Sequence, residues 1–166
     1  MTATDPVLRA LAHPLRLRML SLMWTASMSA AELARELDIS HALASQHLRR
    51  LDAVGLTELV EIRPHRGGQE RRYRTVHGTV LSDRREAEPL LAEALAVNLR
   101  ERASRRAPDV EGVTADAELW VSPQAWQDFR RQLAELTAAL HDSALAPHAP
   151  DAVRVGLTVT AFPLAD

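Results

Sequence analysis

Between Ser29 and Gly55 the apolar residues fall into two short runs at helical spacing. Ala30, Leu33, Ala34 and Leu37 mark the first run, and Ala44, Leu48 and Leu51 the second. Ser29 and Glu32 have the S-x-x-E spacing of a capping box, which starts a helix at that point. Asp38 and Ile39 make a short turn. Ser40 suits the N-cap of the second helix, because its hydroxyl can accept from a free amide of the first turn. Gly55 suits the stop, where a left-handed backbone is cheap only for glycine. The face opposite the apolar stripe of the second helix carries His41, Ala42, Ser45, Gln46 and Arg49. These side chains are short or hydrogen-bonding, and they crowd the N-terminal half of a helix.

The pattern then changes period. Thr57–Arg63 and Arg71–Val76 read as two strands, and Gly67-Gly68 between them is a hairpin signal. Arg63, Arg66, Arg71, Arg72 and Arg74 crowd this hairpin. A helix pair followed at once by an arginine-rich hairpin is the order of a winged helix-turn-helix. That order predicts double-stranded DNA as the partner, with the second helix in the major groove.

Upstream, Asp5-Pro6 opens a first helix, and His13-Pro14 breaks it because the residue before proline is pushed out of helical backbone. A second helix runs from Pro14 to Trp24. His13, alone at a junction, reads as structural. Downstream, Pro89 starts a helix expected to reach Arg106, with Leu90, Leu91, Ala94, Leu95, Asn98 and Leu99 on one stripe. That stripe suits either packing on its own domain or pairing with a second copy. Residues 107–117 are polar and carry proline and glycine, as a linker does. Glu118–Val121 reads as a strand. Ser122-Pro123 caps a helix whose Trp126, Phe129, Leu133, Leu136 and Leu140 alternate in steps of three and four. Val153, Val155, Leu157, Val159 and Ala161 then alternate with polar positions or glycine, as in a half-buried strand. The expected fold is mainly α with small β elements. A winged helix-turn-helix occupies residues 1–80, a connecting helix 81–107, and a small α+β C-terminal module for dimerisation or effector sensing 108–166.

Composition sharpens this reading at three points. The net charge of −2 hides an asymmetry: residues 1–78 hold eleven arginines against eight Asp and Glu, or +3, and residues 79–166 nine against fourteen, or −5. A basic half and an acidic half suit a reader joined to a control module. Every basic residue apart from histidine is arginine, which favours bidentate phosphate contacts. Cysteine is absent, which removes disulfides and thiolate metal sites. No run spans a bilayer and no signal-peptide pattern opens the chain, so a cytoplasmic location is expected.

The run Ala10-Leu11-Ala12-His13-Pro14-Leu15-Arg16, then Ser45-Gln46-His47-Leu48, then Ala53-Val54-Gly55-Leu56, resembles the ArsR-type winged-helix regulators over about half the chain. The resemblance implies a homodimer formed through terminal helices, and a transcriptional repressor reading an inverted repeat. A two-fold dimer sets its recognition helices about 34 Å apart. Candidate DNA contacts are Ser40, His41, Ala42, Ser45, Gln46, Arg49, Arg50, Arg66 and Arg71. Ser45, Gln46 and His41 are expected at base edges; Gln46 can pair with adenine through its amide, and Ser45 and Arg49 suit phosphates equally well. Arg66 and Arg71 hold the wing to the backbone or reach the minor groove, as wings of this type do. The alternative is a winged-helix protein-interaction module without DNA binding.

No phosphate-binding glycine loop, dinucleotide fingerprint or H-E-x-x-H is present. Ser45 and His47 sit two apart on one helix and point different ways, so they are not a nucleophile and its base. No enzyme, cofactor or metal is expected, although His77 with Asp83 or Glu86 stays open as a ligand set. The tail holds four of the six Trp, Tyr and Phe residues. Trp120, Trp126 and Phe129, with Thr158 or Thr160 as a polar handle, suit either a module core or a pocket for a small hydrophobic effector.

Overall fold

The computed structural model describes residues 6–65, 68–76 and 88–165. Two short helices open it: α1 (Pro6–Leu11) and α2 (Pro14–Leu22). Asp5, expected as the cap of α1, lies outside the described residues. His13 caps α2 by accepting from the Leu15 amide through Nδ1 at 3.2 Å. Strand β1 (Met28–Ser29) leads into α3 (Ala30–Leu37), α4 (His41–Asp52), and the hairpin of β2 (Thr57–His65) and β3 (Gly68–Thr75).

The capping box of α3 closes in both directions. The Glu32 amide donates to Ser29 Oγ at 3.3 Å, and the Ser29 amide donates to Glu32 Oε2 at 2.8 Å. Asp38 turns the chain at φ 53° and Gly55 at φ 71°, so α3, α4 and the wing follow one another without slack. Leu33, Ala44 and Leu51 are fully buried, with Met19 and Met23 of the α2 segment and Leu56 beside them. This one core seats α4 and leaves its other face outward.

Strand β1 has no signal in the sequence. Met28 and Ser29 pair with Tyr73 and Arg72, giving an antiparallel sheet in the order β1-β3-β2. Two residues are too short to show a period, and the pairing arises because the hairpin folds back over the entry to α3. Thr75 fastens the wing's base: its amide donates to Met23 O at 3.1 Å and its hydroxyl to Leu20 O at 2.7 Å.

Helix α5 (Glu88–Ala103) packs against α2 of its own chain. Ala94 and Asn98 are buried, Leu91 and Leu95 lean on the core, and Asn98 Nδ2 donates to Pro14 O at 3.1 Å. Arg18 pairs with Glu101 at 2.6 Å. The stripe offered for either role is therefore spent within the chain at those four positions, while Leu90 and Leu99 stay exposed.

The tail departs from expectation. Helix α6 (Pro123–Asp142) forms behind the Ser122 cap, but Glu118–Val121 and Val153–Ala161 are not strands. Neither stretch pairs with a strand, although Leu157 O accepts from Arg102 at 2.7 Å, and alternation alone does not make a sheet. The tail is one helix flanked by irregular chain rather than an α+β unit. Among the described residues none after Asn98 is buried.

Candidate nucleic-acid interface

Helix α4 divides its residues cleanly between two faces. Ala44, His47, Leu48 and Leu51 are buried, while Ser40, His41, Ala42, Gln46, Arg49 and Arg50 are exposed and Ser45 is half-buried. Ser40 caps the helix by accepting from the Leu43 amide at 3.2 Å. Its cap leaves other first-turn amides pointing outward, the usual seat for a phosphate. Arg49 donates to Ser45 Oγ at 3.4 Å, one turn back along the outer face.

A cleft of about 400 Å³ runs between this face and the wing. His41, Ser45 and Arg49 line it from α4, and Gln69, Arg71 and Tyr73 from β3. The fold thus brings Arg71 of the wing into one cleft with Ser45 and Arg49 of α4, from which it is distant in sequence. Arg66 lies outside the described residues, as do His77, Asp83 and Glu86.

The arginine crowd is less uniform than the sequence implies. Arg63 pairs with Glu61 at 2.7 Å, and Arg74 with Glu58 at 2.7 Å. Arg72 bonds Glu32 at 2.8 Å and Ser27 O at 2.6 Å, fixing the wing to the start of α3. Three of the wing's arginines are therefore occupied inside the chain. Glu58 and Glu61 are visible in the sequence, but only the register of β2 and β3 sets arginines opposite them.

Under α4 lies a cationic cluster that spacing could not reveal. The rings of His47 and His13 are 4.6 Å apart, and Arg16 and Arg50 bear on both electrostatically. Arg16 is buried and donates to the carbonyls of Ala10 and Arg9 at the end of α1. Burial, aided by repulsion from His13, Arg16 and Arg50, lowers the pKa of His47 to about 4. Burial also lowers that of His13, with Arg16 and Arg50 adding to it. Both rings are thus neutral at pH 7, and the helix sits on an uncharged pair. Arg50 belongs to the edge of α4 that faces this cluster.

The residues considered for an effector pocket, Trp120, Trp126, Phe129 and Thr158, lie on and around α6. Trp120 is 91% exposed, and a ring so open walls nothing. Trp126 and Phe129 stack on each other at 6.1 Å, and Thr158 Oγ1 accepts from Arg102 at 2.6 Å. Among the described residues no three His, Asp or Glu side chains come together as metal ligands, and no helix is long and apolar enough to cross a membrane.

Residues 11–60 match the family described as Helix-turn-helix domain. No curated protein matches the chain. Among solved structures it is similar to reduced HlyU from Vibrio cholerae, at 23% identity over 57% of this chain and 84% of that one, with a TM-score of 0.37. It is similar to the transcriptional repressor BigR from Xylella fastidiosa, at 21% identity over 61% and 85%, with a TM-score of 0.37. A third likeness, to the adhesin competence repressor AdcR from Streptococcus pyogenes, has 12% identity over 80% and 79% and a TM-score of 0.33. These values describe distant likenesses. The capped helix pair, the sheet behind it and the match over residues 11–60 show a winged helix-turn-helix fold in the first half of the chain, whose motifs resemble the ArsR type.

Proposed function

We propose that the protein is a sequence-specific, dimeric transcriptional repressor of the ArsR type that reads an inverted repeat in double-stranded DNA. One observation carries the reading: the outward polar face of α4 shares a cleft with the wing, so one duplex can meet both. His41, Ala42 and Gln46 are the exposed candidates for base edges. Ser40, Ser45, Arg49, Arg50 and Arg71 suit phosphates, and Arg66 is assigned to the backbone from its place in the hairpin sequence.

The dimer is supported by the tail. The chain exposes 12,366 Å², about half as much again as the roughly 8,100 Å² of a compact monomer of 18.3 kDa. Phe129 is 50% exposed and Leu136 69%, on a helix that buries no residue. A second copy pairing α6 with α6 covers that stripe, and a stable dimer of this kind buries about 2,000 Å² or more in total. The units behind this proposal are residues 1–80 for reading, 81–107 for connection and 108–166 for pairing.

The rival, a winged helix that docks protein instead of DNA, gains from the paired state of Arg63, Arg72 and Arg74. Selection from a random duplex pool separates the two. The DNA reading expects an enriched inverted repeat and an affinity that falls steeply with salt. Absence of enrichment, together with duplex binding no stronger at low salt than at high, would leave the rival standing.

A further inference from the structure

A second cleft, of about 290 Å³, opens away from the reading face. Trp24 and Thr25 line it from the turn after α2, Arg74 from β3, and His141, Asp142 and Ala144 from the end of α6. We propose that it is a binding site for a small zwitterion of the α-amino-acid class, and that its occupant adjusts the wing.

The charges on the lining select this class. Arg74 and Asp142 are exposed and opposite in sign. The Asp142 carboxylate makes no ion pair or hydrogen bond among the described residues. A simple anion is opposed by Asp142 and by the carbonyl end of α6, the negative end of the helix. A simple cation is opposed by Arg74. A ligand carrying both a carboxylate and an ammonium answers both, with its carboxylate on the guanidinium and its ammonium on Asp142. Arg74 is already held by Glu58, through Nε at 3.2 Å and Nη2 at 2.7 Å. That pair is exposed on both sides, and such pairs contribute little, so a second carboxylate can share or replace it. The rings of Trp24 and His141, 5.0 Å apart and tilted by 54°, offer a surface for the ligand's side chain. The volume lies at the small end of ligand clefts, which fits a single amino acid rather than a peptide.

The site joins pieces that must agree for DNA to bind. Thr25 Oγ1 donates to Leu145 O at 3.1 Å, tying the exit of α6 to this corner. Arg74 stands between Tyr73, which lines the reading cleft, and Thr75, which fastens the wing to α2. An occupant that draws Arg74 from Glu58 changes the pairing of β2 with β3 at the wing's base. This coupling rests on the DNA-binding reading; occupancy of the cleft does not.

The test uses the full chain and three probes: L-phenylalanine, 3-phenylpropionate, which lacks the ammonium, and 2-phenylethylamine, which lacks the carboxylate. Calorimetry without DNA should show saturable binding of L-phenylalanine and roughly tenfold weaker binding, or none, for the other two. Arg74→Gln and Asp142→Asn should each lose a similar factor, with Arg74→Lys partly restoring it; both sites are exposed, and circular dichroism checks the fold. The Trp24 indole N–H resonance should move with L-phenylalanine only. No saturable binding, or equal affinities for the three probes or the two variants, overturns the site. The affinity for a duplex, measured with and without saturating L-phenylalanine, should differ several-fold. An unchanged affinity in a protein that binds both DNA and L-phenylalanine overturns the coupling, whereas a protein that binds L-phenylalanine but no duplex overturns the DNA reading instead.

Discussion

Helices α3 and α6 are both amphipathic, both capped by a serine whose hydroxyl accepts from a first-turn amide, and both rich in leucine. In α3 the stripe ends up inside: Leu33 is fully buried and Leu37 is 7% exposed. In α6 the same kind of stripe leaves Phe129 half exposed and Leu140 at 46%. The difference lies in what stands opposite. Helix α4 and strand β1 pack on α3 in the same chain, and Arg72 of the wing holds it, whereas the segments on either side of α6 form no sheet to cover it. An apolar stripe at helical spacing specifies a helix and a face; it does not specify who covers the face.

The strongest way to test this contrast is truncation. Leu51→Ala, at a fully buried site, should cost about 2–5 kcal/mol in denaturant unfolding. Leu136→Ala should cost well under half of that at concentrations where the chain is monomeric. Equal losses would mean that α6 is covered within one chain. Next, Leu136→Glu with Leu140→Glu should convert the proposed dimer to monomer in sedimentation, since unpaired charges do not bury. A dimer that survives would move the interface to Leu90 and Leu99 on α5.

Acidification sharpens the contrast from the other side, because the buried cationic cluster belongs to the reading half alone. His47 titrates near 6.5 when unfolded and about 4 when folded, so the unfolded chain binds the extra proton. Its contribution is complete above pH 6.5 and is lost as pH falls towards 4, by roughly 2–3 kcal/mol. His47→Gln should flatten unfolding free energy over that window. An unchanged slope would put the proton uptake on other groups.

Gln46→Ala should cost about 1–3 kcal/mol on the selected duplex and little on random DNA. Equal losses on both would place Gln46 on phosphate. The smallest effect separates two arginines of one strand. Arg71→Ala should lower the salt slope of DNA binding by about one ion, and Arg74→Ala should leave that slope unchanged because Arg74 is paired with Glu58. Matching slopes in the two variants would mean that Glu58 releases Arg74 when DNA arrives.

The reading half was legible because its signals are local and mutually supporting. Ser29 and Glu32 announced a cap that closes as expected, and Gly55 took the left-handed backbone it was assigned. What stayed hidden was set by distant residues. The pairing of Met28 with Tyr73 depends on how the hairpin folds back, and the tilted contact of His13 with His47 depends on how the junction of α1 and α2 meets α4. The arginine count misled for a related reason: composition shows five cations near the wing but not the carboxylates that the register sets beside them. In the tail, alternation at residues 153–161 suits a strand, yet a strand needs a neighbouring strand, and no local pattern supplies one.

Glu32 caps α3 through the Ser29 amide and, with the same Oε2 oxygen, holds Arg72 of the wing. Burial alone would raise its pKa, but the Ser29 amide and Arg72 outweigh it, and the net value is lowered. Its contribution therefore persists below the usual carboxylate range and vanishes as pH falls through that lowered value. One proton arriving there would release two elements at once, fraying the first turn of α3 while unpinning the wing's base. The two should therefore show matched amide-exchange rates, opening and closing as a single unit rather than in sequence.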